Sequence, residues 1–394
     1  MTMKVRALGI GAVVLATMCT AGCGHYVCGT TFGSGSCTSS GSGISSGTGS
    51  GSNTIGLTAF VYFVDASAGS MAAEALNFNN SQTFAPLSSF VSPAISGGGD
   101  GGMVVVGKKY LYIAATNSVL LGFSINSSTA ALTPVPNSPY AITGPSIAAD
   151  PQGRFLFVGG PGTISAMTIN SDGSLTAVPG SPFSTTGITP THLVTDGLGR
   201  YLYAVGASTI SEYSYNQTTG VLSTIAGSPL YTGMSEVASE KTGKFILGIT
   251  GATNDVFVFS IGSTGALTGA TGSPFPTGLA AVNLAVSPNG AFVYTFNQSN
   301  FGALATAQPM EGYSLSGAGA LTALSGSPFT GLNAAVGVFD QSGEFLFTVA
   351  QVPNSSLQTS GEFAYAANTS TGAVSSSLPN AGVVSETYAV TDEP

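Results

Sequence analysis

Six times along the chain, a turn glycine opens a short aromatic-rich stretch: "GKKYLYI" at Gly107, "GRFLFV" at Gly153, "GRYLYAV" at Gly199, "GKFILGI" at Gly243, "GAFVYTF" at Gly290 and "GEFLFTV" at Gly343. Successive glycines are 46, 46, 44, 47 and 53 residues apart. A second mark, Gly-Ser-Pro-apolar, falls between them at Gly180, Gly227, Gly272 and Gly326, with Asn137-Ser138-Pro139-Tyr140 as a weaker copy. A period of about 40–50 residues made of short strands and turn signals predicts β-propeller blades, which bury their faces only against neighbouring blades.

One unit shows the pattern. Strand A is "HLVTD" from His192, the turn is "GLG", and strand B is "RYLYAV". Strand C is "ISEYSYN", and "VLSTIAG" is strand D. Gly-Ser-Pro is expected to end strand D, since proline has no N–H for a ladder. No stretch has a convincing helical period, although "SMAAEAL" at 70–76 could form one turn. At the ends, "TAFVYFVD" matches strand B without its own strand A, and 388–392 ("YAVTD") matches strand A. The expected fold is therefore all-β: a seven-bladed propeller of four-stranded antiparallel blades. The C-terminal strand joins the N-terminal blade and closes the ring, so no sheet edge stays open.

The first residues carry Lys4 and Arg6, then an apolar run over 7–18. That run is shorter than the roughly 20 residues a bilayer span needs and reads as an export signal. Thr20-Ala21-Gly22-Cys23 resembles the lipobox of bacterial lipoproteins, with Thr20 where leucine is usual. The resemblance implies acylation of Cys23 and a lipid-anchored protein of the bacterial cell envelope, in the outer membrane or periplasm. Ordinary signal cleavage is the alternative. Cys28 and Cys37 remain as an even pair that could close a small disulfide loop in an oxidising compartment. Residues 33–52 are mostly Gly, Ser and Thr and read as a flexible tether. The layout is thus a signal at 1–22, an anchor and tether at 23–53, and a propeller at 54–394.

Beyond the signal, 6 basic residues face 17 acidic ones, a formal charge of −11. So few cations exclude a nucleic-acid footprint. The body has no cysteine, which removes thiol catalysis and thiolate metal sites. No cofactor is expected, and closed blades imply a monomeric body.

Repeats of the form D-x-x-G-R-aromatic-L-aromatic-V, followed by G-x-L-t with a later G-S-P-F, resemble the seven-bladed lactonase-type propellers. That group includes the propeller 6-phosphogluconolactonases and muconate cycloisomerases. The resemblance spans nearly all of 54–394 and implies lactone chemistry. Enzymes of the family carry P-H-P-H entering strand A, D-x-x-G-R, and D-L-G-x-D after strand B. Here Pro190-Thr191-His192 keeps the second histidine and 196–200 keep the turn, but "GASTISEY" follows strand B.

A meander puts D–A and B–C loops on one face and A–B and C–D loops on the other. His192 enters strand A on the first face, near the central channel. Arg154, Arg200 and Lys244 follow the A–B glycine on the opposite face, as solvated turn residues. Seven residues before each turn glycine, and at the matching place in the last copy, stand Asp100, Ser146, His192, Glu236, Asn283, Val336 and Tyr388. Polar residues at a wet channel mouth need no function. Three functional arrangements are open beside that. His192 can serve as a base oriented by Glu236, with Ser146 alongside. Asp100, His192 and Glu236 could hold a divalent cation. Asp100, Ser146, Asn283 and Tyr388 could instead contact a ligand. Long segments at 88–102, 297–309 and 351–361 share that face and suggest recognition, while Asn254-Asp255 reads as a turn. The reduced motif favours an exported binding module whose ligand is a carbohydrate, lactone or envelope protein. The alternative is a lactone hydrolase using His192 as base.

Overall fold

The computed structural model describes residues 13–18, 58–65, 70–77, 83–86, 91–92 and 102–377, excepting 115–118, 186–187, 207, 251–252, 280, 298–308, 331, 333–335, 341 and 352–359. The architecture is an all-β propeller. Six blades, each a meander of antiparallel strands A to D in chain order, span 103–134, 146–184, 192–231, 236–276, 281–323 and 336–377. A further four-stranded sheet joins Val13–Met18 to Thr58–Asp65, Ser70–Asn77 and Thr83–Pro86. Each strand A lies beside the strands A of its neighbours, and Val13–Met18 lies beside those of the 103–134 and 336–377 blades.

Strand B is buried on both faces because blades stack on either side of it. Tyr201–Val205 is buried at every position, as is Phe245–Ile249. The aromatic residues there also stitch blade to blade. Tyr112, Tyr203 and Tyr294 donate to the carbonyls of Gly173, Gly265 and Gly372 at 2.7, 2.8 and 2.7 Å, in the C–D turn of the following blade. That turn needs glycine twice over at Gly265. Its φ is 91°, and a Cβ would stand 2.4 Å from the Tyr201 ring.

The Gly-Ser-Pro element does not end strand D, contrary to the expectation from proline's missing N–H. The outer strand pauses there and then resumes. Leu222–Thr224 pairs with Tyr213–Tyr215, and Leu230–Tyr231 returns to pair with Thr209 and Ile210 of the same strand C. The serine bridges the gap. Ser138, Ser181, Ser228, Ser273 and Ser327 each accept through Oγ from a strand C amide, those of Gly122, Ala166, Glu212, Val258 and Gly312, at 2.8–3.0 Å. Proline, lacking an N–H, sits where the ladder is already interrupted. Ser228→Ala leaves the Glu212 amide without its acceptor and is expected to cost about 1–3 kcal/mol, read as a lower urea midpoint. An unchanged midpoint would show that the serine bridge contributes nothing.

Two further readings differ. Ser70–Asn77 is a strand, not a helical turn, because all eight residues pair with Thr58–Asp65 and place Met71 and Ala73 in the core. The innermost place beside Thr58–Asp65, expected for 388–392, is held by Val13–Met18. Residues 378–394, Tyr388 among them, lie outside the described residues, as do Cys23, Cys28, Cys37, the tether, and most of the long segments at 88–102, 297–309 and 351–361. Among the described residues no helix is long and apolar enough to cross a membrane.

Candidate functional site

Strand A begins at the channel mouth, and its first side chain reaches sideways to the next blade. At His192 this gives a contact between ionisable groups 44 residues apart: Nε2 lies 2.9 Å from Oε2 of Glu236, the first residue of the next strand A. The two side chains are 36% and 22% exposed, so the pair is open to the channel. Burial opposes charge on the imidazole, but the hydrogen bond to Glu236 and its negative charge outweigh that. The pKa of His192 therefore lies above its ordinary value.

The pair's free atoms decide its chemistry. With Nε2–H donated to Glu236, the lone pair of a neutral His192 stands on Nδ1, and that atom is buried without a partner. The contact engages one carboxylate oxygen of the partly exposed Glu236 side chain. His192 Nε2 holds that oxygen across the boundary between two blades.

The other expected members do not join this pair. Ser146 is 4% exposed and donates to the carbonyl of Pro190 at 2.9 Å. Asn283 Oδ1 faces the amide of Gly337 at 3.5 Å. Both make the same sideways link to the following blade that His192 makes, with a backbone group as the partner: a carbonyl accepting from Ser146 and an amide donating to Asn283. Register in the first described blade differs from the others. In the 103–134 blade, Gly107 and Lys108 both have positive φ (57° and 59°) and Lys109 N bonds Val106 O, a tight type I′ connection. The other blades use a five-residue connection closed by an acid (Asp150, Asp196, Glu240, Asp340) or, in the 281–323 blade, by Ser287. The turn is one residue shorter and its glycine stands one place further from strand B, so Gly102, whose carbonyl accepts from the Ala114 amide, takes the mouth position. Asp100 itself and Tyr388 lie outside the described residues. Among those residues no group of three or more His, Cys, Asp or Glu side chains gathers as a metal site. Asn254 and Asp255 serve structure: the Asn254 carbonyl accepts from Thr277 N, and Asp255 pairs with Pro276.

The arginines are placed on the far face as expected, but they are not free turn residues. Arg200 Nε reaches Asp196 at 2.9 Å and its Nη2 the Gly243 carbonyl at 2.8 Å, in the next blade. Arg154 holds Asp150 in the same way, at 2.7 and 2.8 Å. All six basic residues of the body, Lys108, Lys109, Arg154, Arg200, Lys241 and Lys244, stand in A–B turns. The mouth that holds His192 and Glu236 has none.

Residues 146–301, the span containing both His192 and Glu236, match the family model "Lactonase, 7-bladed beta-propeller". No curated protein matches the chain. Solved structures share the fold. A protein of Bacteroides fragilis assigned as a 6-phosphogluconolactonase has a TM-score of 0.63 at 15% identity, over 82% of this chain and 94% of its own. One of Bacteroides uniformis with the same assignment gives 0.61 at 18%, over 81% and 94%. A periplasmic gluconolactonase of Pseudomonas aeruginosa gives 0.57 at 15%, over 78% and 91%.

Proposed function

We propose that this lactonase-like propeller hydrolyses a lactone at the mouth where His192 meets Glu236. This reading displaces the binding module. The observation that carries it is the 2.9 Å contact joining two adjacent innermost strands through a pair of partly exposed side chains. In the reaction, Glu236 takes a proton from water as its oxygen attacks the lactone carbonyl carbon. The tetrahedral intermediate then collapses, the bond to the ring oxygen breaks, and that oxygen regains the proton. The product is the open hydroxy acid. His192 holds the carboxylate through Nε2–H throughout.

The substrate we infer is an uncharged sugar lactone. A phosphorylated one wants converging cations, ideally bidentate arginines. All six cations of the body stand on the opposite face, and Glu236 would repel a phosphate. The test is purified protein assayed on unphosphorylated and 6-phosphorylated aldonolactones beside Glu236→Gln. Opening of neither class, or activity unchanged in the folded variant, would refute the assignment.

The location and closure proposed follow from the chain ends. Lys4, Arg6, the apolar run and Cys23 support export to the cell envelope with a lipid on Cys23. Removal of the signal would free the inner edge of Thr58–Asp65, and 388–392 has the strand A pattern to pair there, completing seven blades. Deleting 385–394 from protein that begins at Cys23 is expected to lower the Tm of the whole body in one transition. Unaltered melting would refute closure by this segment.

A further inference from the structure

The B–C corner of the 281–323 blade holds a group of oxygen atoms that the hydrolysis does not use. Thr295 and Glu311 face each other across the ladder between Phe292–Asn297 and Met310–Leu315, so their side chains lie on one face of the sheet. Asn297 is two residues beyond Thr295 and projects to the same face. Their exposures are 0%, 5% and 4%. Thr295 Oγ1, Asn297 Oδ1 and Glu311 Oε2 are all buried without a hydrogen-bond partner. The polar contacts that do exist bring no positive charge. Glu311 Oε1 accepts from the Gly278 amide at 2.9 Å, and Asn297 Nδ2 donates to the Pro309 carbonyl at 2.8 Å. The hydroxyl of Tyr313 neighbours the same carboxylate. Burial first, then the charge of Glu311 and a hydrogen bond to its carboxylate, push the Tyr313 pKa up, so this contact too brings no positive charge.

The surroundings are otherwise apolar. Val293 and Tyr313, on the same face, join a core with Leu247, Val256 and Val258 of the preceding blade. One buried unpaired acceptor costs about 1–3 kcal/mol, and a buried carboxylate left uncompensated costs more. Every lysine and arginine of the body lies at the opposite end of the blades, so the chain supplies no counter-charge here. At equivalent places the other blades carry Leu121, Ser165, Ser211, Phe257 and Phe363, and none is ionisable. Three buried, unpartnered oxygens on one sheet face, one of them from a carboxylate, suit a hard cation. Mixed carboxylate, amide and hydroxyl donors at irregular spacing suit calcium, which tolerates variable geometry and completes its shell with water, better than magnesium.

We propose that Thr295, Asn297 and Glu311 form a buried site for a calcium-type cation between the 236–276 and 281–323 blades. The ion neutralises Glu311 and secures the base of the segment that leaves Asn297 and returns at Pro309, beside the channel mouth. The site is independent of the His192–Glu236 pair and stands whether or not lactones are hydrolysed.

The test uses the full chain as produced, stripped with chelator and dialysed separately against calcium, magnesium and sodium. Bound metal is counted and melting is recorded. The expected result is one calcium retained per chain and a Tm that rises saturably with calcium. Affinity should fall about tenfold or more in Glu311→Gln and in the isosteric Thr295→Val, which keeps the test valid if one variant fails to fold. Without metal, Glu311→Gln should melt no lower than the parent, since it removes an uncompensated charge. No retained ion with melting indifferent to chelator would leave ordered water only and overturn the proposal. Retention of sodium or magnesium in place of calcium, or undiminished calcium in both variants, would overturn it too.

Discussion

Asp150→Ala is expected to destabilise the propeller by about 3–5 kcal/mol, the range for removing one partner of a buried ion pair. The Asp150 side chain is wholly buried and accepts from four donors. Arg154 supplies its backbone amide at 3.1 Å, Nε at 2.7 Å and Nη2 at 2.8 Å, and Tyr215 of the next blade supplies its hydroxyl at 2.8 Å. Arg154 then reaches the carbonyls of Gln217 and Gly199 in that same blade. One carboxylate therefore closes its own turn and fastens two blades. Its loss strands a buried phenol and a guanidinium together. Asp150→Asn keeps part of the hydrogen bonding and should fall between.

Burial alone would raise the pKa of Asp150, but the bonds from Arg154 and Tyr215 outweigh it and hold the pKa below its ordinary value. The stabilisation is thus full above the unfolded pKa of about 3.9 and is lost as pH falls through the lower folded value. In the variant, the acid limb of stability against pH should flatten. Guanidinium melts from neutral to acid pH measure both effects. A neutral-pH loss below about 1 kcal/mol, the scale of an exposed pair, would contradict the linking role.

Glu236→Gln is expected to lower lactone kcat/KM by about 10²–10⁴-fold, the usual contribution of a positioned acid–base group. The amide matches the carboxylate in shape and can still meet His192, so stability should hardly move: a partly exposed pair is worth roughly 0.2–1 kcal/mol. A folded variant of normal activity would remove Glu236 from the chemistry. His192→Gln should give a smaller loss together with a changed pH profile. The raised pKa of His192 means that its ion pair with Glu236 is complete below about 6.5 and is lost as pH rises through the folded value. Once the imidazolium loses its proton, the positive charge beside the carboxylate is gone. Activity in the parent should therefore step upward through that pKa, and in His192→Gln the step should vanish. A step that survives the substitution would assign the titration elsewhere.

Much of the fold is legible in local residue order. Turn glycines with positive φ stand at Gly153, Gly199, Gly243, Gly290 and Gly343, where the sequence repeats them. The aromatic strands that follow are buried on both faces, as their continuous apolar character implies. Chain order also places His192 at the mouth and the cations at the far end. Legibility stops where a contact depends on stacking. Counting back seven residues from the turn glycine gives Asp100 as the counterpart of His192, yet a type I′ turn one residue shorter, with its glycine one place further from strand B, puts Gly102 there. Ser146 and Asn283 fill the same place as His192 but bond to backbone, because what each meets is set by the neighbouring blade. Thr295, Asn297 and Glu311 went unnoticed in the sequence, although an ionisable residue inside strand C was a signal in plain view.

The sequence by itself therefore determined the period, the order of strands in each blade and the ends at which charge is carried. These are local properties of turns and alternation, repeated often enough to average out exceptions. Only the tertiary structure decided which side chains meet. The decisive contacts cross from one blade to the next, between residues more than forty apart in the chain. Hairpin register and sheet stacking set them, and no single repeat encodes either.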